Sequence, residues 1–340
     1  MQIVCRTAYG AVFLTFCMKR LLFFLTILPF LTLSAKAQDQ FFQLPIVPDS
    51  IVTLTNRTNY LITHYWDFCD LNKSFSTPQK MAEAFESYLD LMPYATAEEA
   101  HASVSKFLKA INKKPENVLF IGRLAEANLY ADTSEMLSDE LYLPFAEAIA
   151  NHKKIRKEDK AHFERQARIL RNCQVGLESP DFEYTSRDGS LKNFTTNVSD
   201  VVVLFFFDPG SAETTLARVR LDADINAQRL IDNGILKIVA ISPTVADGEW
   251  RDAVSSFPSH WEVGATEAVN DLYDIRLTPS FFIMDGSHKL YGKNAPIESV
   301  LSVCMQLAAR LPKTTPAATS VTSDTTVTSD TTPTSDSETK

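Results

Sequence analysis

Seven consecutive apolar residues, Val201 to Phe207, stop abruptly at Asp208-Pro209-Gly210, and Ser211 follows. A run of that length fits a strand buried on both faces, Pro and Gly mark a tight turn, and Ser is a favoured helix N-cap. The segment therefore reads as strand, turn and helix start. Beyond it, Leu216, Val219, Ile225, Leu230 and Ile231 recur at roughly helical spacing. Free N–H groups and the dipole at such a helix start lower the pKa of a thiol. An alcohol gains almost nothing there, and this chain supplies Ser211 and Thr214.

The residues around this unit extend the pattern. Phe182 precedes a short strand, and Arg187-Asp188-Gly189-Ser190 is a hairpin turn. Leu236 to Ile241 is a second buried strand, with short helices expected over Asp247 to Phe257 and Thr266 to Tyr273. Thr278-Pro279 leads into Ser280 to Met284, which turns at Asp285-Gly286 into His288 to Tyr291. A last helix is expected from Pro296 to Arg310. Strands interleaved with helices specify a mixed α/β sheet.

Residues 38 to 172 read differently. Helical spacing places Leu61, Tyr65 and Phe68 on one face, and Met81, Phe85, Leu89 and Met92 on another. Thr96 with Glu99 fits a capping box, Pro115 opens a further segment through Leu129, and Ser138 and Lys157 start two more. About six helices result. Tyr60, Tyr65, Trp66 and Phe68 either line a ligand groove or pack a core, and core packing is the favoured reading.

With 340 residues the chain is long enough for two such units. At its start, Met18-Lys19-Arg20 precedes the apolar run Leu21 to Leu33 and the small-residue exit Ser34-Ala35-Lys36-Ala37. This is the pattern of a cleavable secretory leader, too short in its apolar part for a comfortable membrane span of about 20 residues. A periplasmic or secreted product with no stable membrane anchor is expected. Past residue 37 there are 29 basic and 42 acidic residues, a net charge of -13, which disfavours nucleic acid as a partner. Residues 313 to 340 are rich in Ser, Thr and Asp and repeat Val-Thr-Ser-Asp-Thr-Thr at 321 and 327, the composition of a disordered tail. Asp324-Thr325-Thr326 and Asp330-Thr331-Thr332 resemble an O-glycosylation acceptor pattern, and an unmodified spacer reads equally well.

Cys5 and Cys17 fall within the leader region, leaving Cys69, Cys173 and Cys304. An odd count in an oxidising compartment leaves at least one thiol free or paired between chains. A Cys173 to Cys304 bridge is a minor possibility beside three buried, apolar cysteines. The histidines at 64, 101, 152, 162, 260 and 288 lack metal-ligand spacing, and no metal or cofactor is expected. Ser211 lacks the Gly-x-Ser-x-Gly setting of a hydrolase nucleophile. Glu213 beside Asp208 reads as ordinary acid placement in a first helical turn, with a tuned acid pair as the lesser alternative.

Residues 173 to 312 resemble the thioredoxin-like family, in particular its periplasmic thiol-disulfide reductase branch. The resemblance rests on Gly176, Pro180 and Phe182 at the entry and on Leu277-Thr278-Pro279-Ser280-Phe281, which is similar to the family's cis-proline loop. It implies an α/β thioredoxin-like fold, a mixed central sheet flanked by helices, behind an all-α domain over 38 to 172. That upstream domain resembles one of unknown function found in exported bacterial proteins, through Trp66-Asp67-Phe68, Leu129 to Ser134 and Asn172. By resemblance, Ser211 and Thr214 stand where the family has its nucleophilic and resolving cysteines, so disulfide exchange through a thiolate is chemically excluded there. What remains is a binding groove of Asp208, Pro209, Gly210, Glu213, Thr278 and Pro279 for a protein or peptide of the cell envelope. The alternative is an oxidoreductase working through Cys173 or Cys304.

Overall fold

The computed structural model describes residues 41–311, so the expected leader and tail lie outside the described residues. The first part is helical: α1 (Leu54–His64), the single turn α2 (Leu71–Ser74), α3 (Pro78–Leu89), α4 (Ala97–Ile111), α5 (Pro115–Leu129), α6 (Asp139–Ala150) and α7 (Lys157–Asn172). Local signals set these limits. Thr53, Thr96 and Ser138 each accept a first-turn N–H as N-caps, and Pro78 and Pro115 occupy first turns, where a missing N–H costs nothing. The apolar faces meet in one core, where Trp66 stacks on Phe107 at 4.4 Å among Phe85, Tyr88 and Phe145. Trp66 and Tyr65 thus pack inside, as the spacing favours. Phe68 does not: α1 ends at His64, so Phe68 falls in the following turn and is 59% exposed. Among the described residues no helix is long and apolar enough to cross a membrane.

The remainder builds a seven-stranded sheet from β1 (Glu183–Ser186), β2 (Leu191–Asn193), β3 (Val201–Phe206), β4 (Leu236–Ser242), β5 (Glu262–Ala265), β6 (Ser280–Asp285) and β7 (Leu290–Ala295), in the order β2-β1-β5-β4-β3-β6-β7. Only β3 with β4 and β4 with β5 are parallel. Helices α8 (Ala212–Asp222), α9 (Ile225–Asp232), α10 (Gly248–Val254) and α11 (Ile297–Ala308) complete the layer structure. Side chains alternate along β3: Val203 and Phe205 enter one core with Ala217, Leu230 and Trp250, and Val202, Leu204 and Phe206 enter another with Phe182, Phe194 and Tyr273. Burial on both faces is why the strand is apolar without a break.

Three expectations need correction, one strand is added, and the lesser reading of the cysteines is ruled out. Leu216, Val219 and Ile225 do not form the buried face; they are 60%, 48% and 75% exposed. The expected single helix stops at Asp222 and restarts at Ile225, because the Asp224 carboxylate accepts the Ala227 N–H and caps a new helix. The small residues Thr214, Ala217 and Ala227, with Leu221 and Leu230, face the core instead. The stretch from Thr266 to Tyr273 forms only the 3-10 turn Glu267–Asp271. Strand β5 was not anticipated; its pattern is masked by Gly264, where a Cβ would stand 2.2 Å from a ring carbon of Tyr184. Finally, Cys173 and Cys304 lie in the two cores on opposite sheet faces and are not bridged.

Candidate functional site

Three chain segments converge at one end of the sheet. Parallel β3 and β4 both finish there, and antiparallel β6 starts there, with Phe206 paired to Ser280. Next to that pair, the Thr278–Pro279 peptide that leads into Ser280 is cis. The site residues named from the sequence, Asp208, Pro209, Gly210, Ser211, Glu213 and Thr214 on one side and Thr278 and Pro279 on the other, are therefore brought to one end. A third wall, the turn after β4, was missed: it presents Val245, 54% exposed, beside Thr244, whose hydroxyl pairs with that of Ser242 at 2.8 Å. Leu277, 46% exposed, adds an apolar rim next to Thr278.

The corner after β3 is held by its own hydroxyls. The Thr214 N–H donates to Ser211 Oγ at 3.2 Å, which makes Ser211 the N-cap of α8. Thr214, buried, accepts the Asp208 N–H at 3.2 Å, and the Gly210 N–H donates back to Asp208 Oδ1 at 3.2 Å. Ser211 Oγ in turn donates to Glu213 Oε2 at 2.8 Å. Each hydroxyl is committed to shaping the corner.

This arrangement is poor at nucleophilic chemistry. The Glu213 carboxyl lies below its ordinary range, first through its own N–H and then through the Ser211 hydroxyl, so it is a weak base for deprotonating Ser211. No histidine hydrogen-bonds Ser211 among the described residues. Nor do the described residues contain a group of three or more His, Cys, Asp or Glu able to hold a metal.

Cys173 is buried, donates to the Leu272 carbonyl at 3.3 Å, and is pushed up to about 12 by burial. Burial also pushes Cys304 up to about 12, with the Asp224 carboxylate adding to the effect. Asp224 lies past the far end of the eleven-residue α8. At 1.5 Å per residue this is about 16 Å from Ser211. A thiol held so far above neutrality supplies almost no thiolate for disulfide attack.

A second polar cluster, not visible in the sequence pattern, joins the helical part to the segment leading into Thr278. Arg276 makes two bonds to Asp274, at 2.7 and 2.6 Å, and reaches Asp139 of α6 at 3.3 Å. Its guanidinium sits 3.3 Å above the Tyr130 ring, which stacks on Tyr142. Lys293 of β7 bonds Asp139 at 3.0 Å and Glu140 at 3.1 Å. With Asp139, Glu140 and Asp274 against Arg276 and Lys293, carboxylates outnumber cations by one. Burial pushes the Asp139 carboxyl above its ordinary value, which the pull of Lys293 does not cancel. Burial acts on Lys293 in the opposite sense, but Asp139 and Glu140 outweigh it and hold the ammonium more firmly protonated. Burial is thus the main reason Asp139 binds its proton tightly, with Asp274 and Glu140 adding to it, whereas for Lys293 the neighbouring carboxylates are the reason.

Residues 30–172 match the family model described as Domain of unknown function (DUF5106). Among solved structures, a thioredoxin-like protein from Bacteroides caccae superposes with a TM-score of 0.67 and 23% identity, covering 78% of this chain and 98% of that one. A thioredoxin domain of a thiol-disulfide oxidoreductase from Bacteroides vulgatus is 18% identical over 40% of this chain and 98% of its own, with a TM-score of 0.35. A conserved protein of unknown function from Bacteroides fragilis is 25% identical over 38% of this chain and 98% of its own, with a TM-score of 0.37. No curated protein matches this sequence.

Proposed function

The chain carries a thioredoxin-like fold behind a helical region that matches DUF5106, and from that premise we propose an exported, redox-inactive binding module that divides near Cys173. Its ligand is an extended peptide or protein segment of the cell envelope, seated between the Ser211 corner and the Thr278-Pro279 loop. One observation carries this reading: the two hydroxyls that stand in place of the sulfurs, Ser211 and Thr214, are locked into the cap opposite the cis Thr278–Pro279 peptide. Shape is retained and the reactive atom is not. Among the described residues no main-chain hydrogen bond engages Thr278, which leaves its N–H and C=O to pair with an incoming strand. Leu277 and Val245 supply the apolar rim.

Two measurements test the reading. In an insulin-reduction assay the mature protein is expected to be inactive, and cysteine-dependent turnover sinks the proposal. Screened against an array of extended peptides, the protein should bind a subset with an affinity that Leu277→Asp lowers at least tenfold; binding indifferent to that change removes the groove from the account. Conversely, Ser211→Cys with Thr214→Cys is expected to confer reductase activity, because the corner already provides a helix N-terminus. Export predicts a secreted or periplasmic product whose first residue is Gln38, read directly by mass spectrometry.

A further inference from the structure

We infer that the helical part is a built-in clamp on the groove: Tyr130 and Asp139 are positioning residues that fix the loop from Asp274 to Pro279, and with it one wall of the ligand site. This role rests on the groove reading only for its consequence in binding. The anchoring itself stands on contacts across the junction.

The segment between the 3-10 turn and β6 is short, and its Asp274 and Arg276 side chains meet residues of the helical part. Asp274 is 4% exposed and accepts from Tyr130 Oη at 3.5 Å and Asn294 Nδ2 at 3.3 Å. Arg276, two residues before Thr278, lies between the Tyr130 ring and Asp139. Lys293, 7% exposed, ties the same carboxylate to β7, the strand paired with β6. Helical residues thus hold the loop by a ring face, a phenol and a carboxylate.

A second grip acts on the neighbouring wall. Arg165 of α7 donates to Asp271 at 2.8 Å and to the Asn270 carbonyl at 2.6 Å. The Asn270 side chain donates onward to the Pro243 carbonyl at 3.1 Å, in the turn after β4. Two of the three walls are therefore tethered to the helical part, while the Ser211 corner is tied only to itself. Beside the first grip a cleft of about 440 Å³, lined by Arg123, Glu126, Asp132 and Gln166, gives the Arg276 side chain room to swing out when its anchors are removed.

Arg276 also supplies the test, because the bond after an arginine is a trypsin site. In limited trypsin digestion of the full chain, Tyr130→Leu combined with Asp139→Ala is expected to speed cleavage between Arg276 and Leu277 at least tenfold over wild type, followed by mass spectrometry. Ile149→Val, a truncation in the helical core remote from the loop, controls for general loss of stability and should leave that bond as resistant as in wild type. Restoring Tyr130 alone should recover part of the resistance. Unchanged cleavage in the double variant overturns the inference, and so does equal acceleration by Ile149→Val. The digestion contains no peptide, so its failure and the failure of the groove reading are separate results.

Discussion

The Ser211 corner and the Asp139 junction are both polar, yet they answer different demands. The corner is local: every bond of Ser211 and Thr214 described above is made within six residues, and Ser211 and Glu213 meet water. The junction is long-range: Asp139 meets Arg276 and Lys293 across 137 and 154 residues of chain, and its charges are largely withdrawn from solvent. A solvated local cap tolerates substitution of its side chains, because water and the helix start remain. A withdrawn charge network does not, because each ion depends on its partners. The contrast explains how side chains at the corner could be exchanged while the frame around them stays intact.

The largest effect should come from unbalancing the junction. Lys293→Met leaves Asp139, Glu140 and Asp274 facing Arg276 alone, and we expect a loss of about 3 kcal/mol in urea unfolding. Adding Asp139→Ala to that variant should restore part of the loss. A cost within about 0.5 kcal/mol for Lys293→Met alone would erase the contrast with the corner. Next comes Thr214→Ala, which removes a buried hydroxyl and strips the Asp208 N–H of its acceptor beneath an exposed turn, and should cost about 1.5 kcal/mol. Ser211→Ala removes only the N-cap oxygen, for which about 1 kcal/mol is expected. Should Ser211→Ala prove the costlier of the two, the corner is held by the cap rather than by the buried threonine.

The smallest effect is the response to pH, and here the regions have opposite signs. The Asp139 carboxyl is raised above 3.8 in the folded protein, so the fold binds its proton more tightly than the unfolded chain does. Its contribution is fully present below that value and fades as pH rises through the raised one. Glu213 is lowered from 4.5, so its contribution is present above that value and fades as pH falls through the lowered one. Urea midpoints measured from pH 3 to 6 should therefore show wild type losing ground to Asp139→Asn as pH rises, whereas Glu213→Gln should lose ground to wild type. Parallel curves for the two variants would mean that the regions share one electrostatic environment.

Elements with strong local signals are legible in the amino-acid sequence. The run Val201 to Phe207, the caps Thr96, Ser138 and Ser211, and the Thr278-Pro279 loop carry their own turn or periodicity chemistry and fall where expected. The outward face of α8 is not legible, because the restart at Asp224 shifts the helical phase and leaves the larger side chains in solvent. Strand β5 escapes for a related reason: its glycine is required by the approach of Tyr184, a residue 80 positions away. Half of the candidate site is readable as motif; the Val245 wall and the residues behind Arg276 carry no motif at all.

The sequence by itself determined the helix starts, the doubly buried central strand, the proline loop and the lack of sulfur at the helix N-terminus, since each depends on residues close together in the chain. Tertiary structure alone decided that Cys173 and Cys304 lie on opposite faces of the sheet, and that Tyr130 and Asp139 stand behind the loop at Arg276. Local propensity acts through neighbouring dihedral angles and hydrogen bonds. Buried charges find their partners only when distant segments have already packed together.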